Sequence, residues 1–426
     1  MAVLLVALLA AGFAIAFRAS LAWALRAAFG APDVVAAMTT APVWVRIVLP
    51  CVGGLVAGLI GRTIAGSATG QGVGDVMEAV VLGRVRLQVG VTLKKCAASW
   101  AAIVTGGSLG REGPLIQFGG AAGKLVSDRL GLSTRRARLL VAAGTAAGFA
   151  AAYNTPFAAV LFVVEVVTGV VFLDAIVPAL VATAIATLLT RAVAGAGPIY
   201  GQQTFQLQAP SELLAFAGLG VGGALAAQGF MRALSWGELA FRRSWLGLPW
   251  RPALGGLLAG GVVAWLPAVA GNGYEPLHAL LAGAVPTLLV AELLLGKCAA
   301  TVASVSSGSP GGVFTPTLLV GGTVGILFRD VAGLTGVSLG PAGGYALVGM
   351  AAATAATTHA PLLAAVMAFE LSGDYAIVLP LVLSTAVATL VSRSLRRDSI
   401  YAAELRGRGV AWEVTMDGRR VVERTK

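Results

Sequence analysis

Apolar runs dominate this chain, and glycine and proline interrupt them more often than charge does. The windows Ala175–Leu189, Leu213–Ala227 and Leu379–Val391 stay apolar over most of a bilayer span. None alternates apolar with polar positions, so they read as helices. Only helices and closed barrels cross lipid with every backbone group paired, and the pattern predicts an all-α polytopic membrane protein.

Along the chain, residues 1–50 predict one or two helices with a basic, Pro-punctuated connection, and Cys51–Ile60 a glycine-spaced helix. Gly66–Glu78 reads as a polar glycine loop feeding a further helix. Gly106–Gly120, GGSLGREGPLIQFGG, predicts a broken segment: a glycine-rich stretch, then a helix starting near Glu112 and running through Leu115, Ile116 and Phe118. Thr134–Arg138 reads as a basic loop. Leu139–Ala152 reads as a small-residue helix broken at Asn154-Thr155-Pro156, and the next helix ends in Glu165. The transmembrane region is expected over 1–405, with halves at about 30–195 and 212–400 joined by a polar linker at about 196–211. A short helix begins at Tyr401, and the polar tail 406–426 is too short for a separate regulatory domain.

The two halves repeat. KCAASWAAIVTGGSLGREGPLIQFGG, Lys95–Gly120, lies without a gap over KCAATVASVSSGSPGGVFTPTLLVGG, Lys297–Gly322. Pro156–Glu165 resembles Pro361–Glu370, and Gly70-Gln71-Gly72 finds Gly271-Asn272-Gly273. Internal duplication explains such matches, and paired Gly/Pro-interrupted segments in two halves point to a midplane site made of half-helices. In an inverted repeat, the N-termini at Glu112 and Phe314 approach a common point from opposite sides.

Composition agrees with the pattern. The chain has 426 residues, 57% of them hydrophobic and 12% charged, with a mean hydropathy of +0.86. This excludes an ordinary soluble domain. The 57 glycines permit close helix crossings. The +11 charge sits in clusters, Arg135-Arg136-Arg138, Arg242-Arg243 and Arg393 to Arg408, which mark cytoplasmic loops rather than a nucleic-acid surface. Trp236 to Trp250 has the character of a membrane interface. Cys51, Cys96 and Cys298 read as packed thiols, with no disulfide framework and no metal site. The apolar start lacks a basic n-region and reads as a retained helix rather than a signal peptide.

Charge inside so apolar a chain marks candidate chemistry. Arg111 and Glu112 stand at a helix start, where free N–H groups and the positive dipole end outline an anion site. In the second copy Val313 and Phe314 replace them, leaving only backbone N–H groups, which suits a partly dehydrated monovalent anion. Gln71 can add an amide, and Tyr401 a hydroxyl or an interfacial anchor. Glu165 reads as a helix-end cap or a functional carboxylate; His359 reads as structural, and His278 falls in a loop. An intramembrane enzyme using Glu112 or His359 would need a nucleophile–base or metal constellation, and two isolated histidines do not supply one. No cofactor and no catalytic residue is expected.

These motifs together resemble the CLC family of chloride channels and chloride/proton antiporters, of the prokaryotic type without CBS domains, over about residues 50–405. The family pattern GREGP stands as Gly110 to Pro114, GxFxP as Gly312 to Pro316, the terminal tyrosine as Tyr401, and GSGIP, with departures, as Gly70 to Gly74. The resemblance implies a homodimer of inverted repeats of tilted, broken helices in an inner or plasma membrane, with one anion pathway per subunit. It implies that Glu112 is the external gate and that Gln71, Gly72, Arg111, Gly113, Val313, Phe314 and Tyr401 surround the anion. Proton-coupled members carry a glutamate pair where this chain has Glu165 and Val166, so the relay glutamate is absent. The resemblance therefore implies chloride transport that is passive or weakly coupled to protons. Proton-coupled chloride antiport and a fluoride/proton variant stand as alternatives, the latter because Gln71 departs at the inner motif.

Overall fold

The computed structural model describes residues 1–64, 72–82, 87–195, 197, 199–200, 205, 207–283, 285–336, 339–415 and 418–423. The first half runs α1 (Ala2–Phe29), α2 (Val34–Thr40), α3 (Val43–Arg62), α4 (Val73–Met77), α5 (Val89–Val104), α6 (Glu112–Arg129), α7 (Thr134–Tyr153), α8 (Pro156–Leu161) and α9 (Leu173–Ala194). The second runs α10 (Glu212–Arg243), α11 (Trp250–Trp265), α12 (Tyr274–Leu281), α13 (Thr287–Ser306), α14 (Phe314–Gly333), α15 (Ala342–Thr358), α16 (Pro361–Ser372) and α17 (Val378–Leu395). The short α18 (Ile400–Gly407) and an antiparallel hairpin of β1 (Val410–Thr415) and β2 (Gly418–Glu423) follow.

Among the described residues, six helical stretches are long and apolar enough to cross a membrane, and no more than 44% of any such window is buried. The outward faces carry Leu, Val and Trp, so lipid is their solvent.

Packing repeats between the halves. α1 lies on α6, α7 and α9, as α10 lies on α14, α15 and α17; α3 packs on α5 as α11 packs on α13. Helix ends repeat as well. Asn154 (φ 57°) closes α7 and His359 (φ 58°) closes α15, both left-handed, while Gly72 (φ 78°) and Gly273 (φ 93°) open α4 and α12. α3 and α11 cross where backbone meets backbone: a Cβ on Gly54 would stand 2.0 Å from the Pro252 carbonyl oxygen, and one on Gly256 2.0 Å from that of Pro50.

The halves also cap each other. Glu370 accepts from Phe157 N (3.0 Å) and Ala158 N (2.8 Å) at the start of α8. Glu165 accepts from Leu362 N (3.3 Å) and Leu363 N (2.6 Å) at the start of α16. Each carboxylate satisfies N–H groups that a helix leaves open, and complements the dipole end.

Several expectations are corrected. The first fifty residues hold α1, α2 and the start of α3, because Asp33 accepts from Ala36 N and begins α2. The glycine-spaced helix starts at Val43 and continues through Pro50, not at Cys51. Thr134–Arg138 forms the first turn of α7 rather than a loop, since Arg135, Arg136 and Arg138 are good helix formers. His278 lies in α12, not in a loop. The tail pairs as a hairpin, with Val410 opposite Glu423. The helix expected to end in Glu165 runs past it as a π-helical stretch, Phe162–Thr168.

Candidate functional site

α5 stops at Val104, and Gly106 (φ 95°) turns the chain; Gly308 (φ 97°) does the same after α13. The two glycine stretches then pair. Gly110 N donates to Gly312 O (2.7 Å) and Gly312 N to Gly110 O (2.8 Å), an isolated antiparallel bridge. Reciprocal pairing of equivalent residues is what a local twofold axis between the halves produces. α6 and α14 start two residues beyond the bridge, at Glu112 and Phe314, each with proline in its first turn. Neither start has a side-chain cap, with Arg111 and Val313 in the N-cap positions.

The Glu112 carboxylate reaches from one helix start to the other. Its Oε1 accepts from Thr315 N, in the first turn of α14, at 3.1 Å. The residue is 2% exposed. Oε2 is buried without a hydrogen-bond partner among the described residues. The seat depends on glycine: a Cβ on Gly110 would lie 1.9 Å from Oε2, and one on Gly312 2.7 Å from it. A carboxylate at a helix N-terminus is an anion in an anion site.

The other residues singled out in the sequence gather around this point to different degrees. Gly113, Val313 and Phe314 are buried in the paired helix starts. Gly72 abuts the first turns of α6, where an added Cβ would meet Gln117 Oε1 at 2.8 Å and Gly113 O at 3.0 Å. Gln71 lies outside the described residues. Tyr401, 2% exposed at the start of α18, stands edge-on to Phe162 at 6.4 Å between centroids, and interacts electrostatically with Glu112. Arg111 points elsewhere, over the Tyr274 ring at 5.4 Å. Glu165 and Val166 are not at the helix starts: Glu165 caps α16, and Val166 is buried. His359 closes α15 with Nε2 3.3 Å from Ser392 Oγ, which is already bonded to Ala356 O and Gln228 Nε2. Among the described residues, no group of three or more His, Cys, Asp or Glu could hold a metal ion.

Sequence reasoning missed two groups. The first is Tyr153 with Thr315, whose hydroxyls meet at 2.9 Å beside Glu112. A tyrosine at the end of an alanine-rich helix was the available signal. The second gathers around Asp75 of α4. Asp75 accepts from Lys95 Nζ (2.7 Å), Gln117 Nε2 (2.8 Å) and Arg408 (2.7 Å). These residues and Glu78 line a cavity of about 710 Å³. Burial opposes the charge on Arg408, but Glu404, Asp75 and Glu78 outweigh it and hold the guanidinium above its ordinary range. The matched pair Lys95 and Lys297 was visible in the repeat; Lys297 is fully buried and donates to Val269 O (3.1 Å) and Gly271 O (2.8 Å).

Two like halves, each contributing a broken glycine-rich segment and a helix start to one buried carboxylate, define a membrane protein with a shared helix-terminus site at the repeat interface. The family described as voltage gated chloride channel matches residues 53–393, and the chain belongs to that family, the CLC family. It is 36% identical over 377 residues to a ClcB-like chloride channel protein of Ralstonia nicotianae, covering 87% of this chain and 88% of that protein. It is 33% identical over 369 residues to the voltage-gated ClC-type chloride channel ClcB of Salmonella typhimurium, covering 84% and 86%. Its fold is similar to that of a slow cyanobacterial Cl⁻/H⁺ antiporter, with a TM-score of 0.86 at 23% identity over 96% of this chain and 97% of that one. A CLC-type fluoride/proton antiporter has the same fold, with a TM-score of 0.78 at 22% identity over 94% and 95%.

Proposed function

We propose that the chain conducts a small monovalent anion, chloride, across an inner or plasma membrane along a pathway gated by Glu112. The observation that carries this reading is the Glu112 carboxylate bonded to Thr315 N at the start of α14. A carboxylate there competes with an anion for the same donors, and protonation or displacement removes the competition. Gly113, Val313 and Phe314 supply the helix starts that receive the anion, Tyr401 offers its hydroxyl, and Gln71 and Gly72 belong to the inner motif. The chloride channel names of the relatives support chloride as the ion. Passive or weakly coupled transport is supported by Val166, which carries no proton, and by the engagement of Glu165 in capping α16. No enzymatic role is proposed.

A homodimer is part of the same reading. α8, even with the π-helical stretch that continues it to Thr168, and the 12-residue α16 are too short to span about 30 Å of hydrocarbon. Phe157 and Leu362 are 62% and 56% exposed beside the half-buried Glu165 and Glu370. Carboxylates facing lipid are costly, and a second copy covering this face removes the cost.

The test is anion efflux from liposomes holding the full chain, with external pH recorded and chloride and fluoride run side by side. Chloride efflux without a pH change is expected. Glu112→Gln is expected to raise efflux at neutral pH several-fold and to flatten its pH dependence, because the amide carries no charge to compete with the anion and takes up no proton. Unchanged efflux in Glu112→Gln would remove the gate from the account. Stoichiometric proton uptake would replace passive transport with antiport.

A further inference from the structure

The Tyr153 hydroxyl has no part in the pathway described above, yet it stands at the gate. Tyr153 is the last residue of α7, where Asn154 leaves the helix in the left-handed conformation, with its N–H bonded to Ala150 O at 2.7 Å. Its ring is held by Phe149 (4.9 Å between centroids) and Phe314 (5.6 Å), so little rotational freedom remains. The residue is 3% exposed, and its one polar atom meets Thr315 Oγ1 at 2.9 Å. Thr315 is the residue whose backbone N–H holds Glu112 Oε1. The Tyr153 hydroxyl also interacts with the Glu112 carboxyl itself.

The donor and acceptor inventory leaves one economical arrangement. An ionised carboxylate only accepts, and Oε2 of Glu112 is buried without a partner among the described residues. A phenol has one proton to donate and can accept from a neighbouring hydroxyl, while a threonine hydroxyl can donate to the phenol oxygen. The charged or titratable groups facing Glu112 are Arg111 on its own helix, Tyr153 on α7, Tyr200 in the segment between halves, Lys297 on α13 and Tyr401 on α18. Arg111 is turned toward Tyr274, and Lys297 is spent on two backbone carbonyls. Of these groups, Tyr153 is the one tied through its own hydroxyl to the residue that already holds the carboxylate.

We propose that Tyr153 is a positioning residue for the gate: its hydroxyl donates to the Glu112 carboxylate, the Thr315 hydroxyl donates to the Tyr153 oxygen, and this two-hydroxyl relay favours the seated, charged form. When Glu112 is protonated or leaves, the same O–H is free to face an incoming anion. The inference rests on Glu112 being the gate.

The experiment is the pH dependence of chloride efflux in liposomes for the full chain and five variants. Tyr153→Phe keeps the ring contacts and removes only the donor. A hydrogen bond to a charged group is worth about tenfold in the protonation equilibrium, so the midpoint of the efflux curve moves to higher pH by about one unit. The direction is set because losing a bond that favours the charged form raises the pH at which the carboxyl takes up its proton. Thr315→Val shifts the curve the same way by less, and Thr315→Ser restores it. In a Glu112→Gln background, Tyr153→Phe changes nothing further in the pH profile. A Tyr153→Phe curve superimposable on that of the unsubstituted protein, with Glu112→Gln flat, overturns the role of Tyr153 and leaves the gate standing. A shift that persists in the Glu112→Gln background also overturns it, as an effect through packing. A Glu112→Gln curve identical to that of the unsubstituted protein overturns the gate itself.

Discussion

Gly110 decides where the Glu112 carboxylate can sit. Its Cα hydrogen faces Oε2 of Glu112 at a position where a methyl group would stand 1.9 Å from that oxygen. Gly110→Ala is therefore expected to expel the carboxylate while keeping the backbone bridge to Gly312. The overpacking is expected to cost about 1–3 kcal/mol. Thermal melting in detergent reads that loss, and the efflux curve flattens as in Glu112→Gln. Adding Glu112→Ala to Gly110→Ala removes the clashing group, so the double variant recovers stability relative to Gly110→Ala alone. Equal melting of the native chain and Gly110→Ala would mean that the seat is roomier than these contacts imply. At this scale the sequence was informative about residue type and silent about direction. Glu112 was identifiable as a charge next to proline in an apolar chain, but Arg111, its neighbour, turns away over Tyr274. Tyr153 gave only the signal of a tyrosine ending an alanine-rich helix, because its meaning comes from Thr315, a residue of the other half.

At the scale of elements, the half-helices carry the argument. α8 and α16 begin at a face whose exposed side chains are apolar, where lipid cannot satisfy their first N–H groups, so each borrows a carboxylate from the other half. Glu165 and Glu370 are equivalent by repeat and by contact. Glu165→Gln and Glu370→Gln are each expected to cost about 1–2 kcal/mol in thermal stability, by similar amounts. Neither is expected to change the external pH record during efflux. A pH record altered by Glu165→Gln alone would give that carboxylate a role in proton movement that Glu370 lacks. Helix existence was legible from apolar length and from glycine and proline punctuation. Helix starts were less so: α3 begins eight residues before Cys51, because Pro50 continues the helix rather than interrupting it. The π-helical stretch around Glu165 was not legible, since it changes spacing without changing composition.

At the scale of the whole molecule, the repeat builds both the site and the surface. The two glycine loops meet because the halves are antiparallel, and the same relation leaves α8 and α16 together at one exposed face. A particle of twice the chain mass is expected in mild detergent, measured by light scattering with the detergent contribution subtracted. Cysteine at Phe157 or Leu362 is expected to cross-link two copies in membranes. A monomer by mass, with no cross-link at either position, would sink the homodimer.

Sequence alone identified a helical membrane protein, an internal duplication, and Glu112 and the GVFTP segment as matches to the family's motifs. Those properties follow from composition, apolar length and local backbone preference, which neighbouring residues along the chain decide. Tertiary packing alone brings Glu112 to Thr315 of the other half, Glu165 to the start of α16, Asp75 to Lys95 and Arg408, and the Tyr153 hydroxyl to Thr315 beside Glu112. Except for the Asp75–Lys95 pair, each of these contacts joins residues more than 150 positions apart. Their meeting is fixed by the antiparallel packing of two halves, a property that no local pattern of the sequence contains.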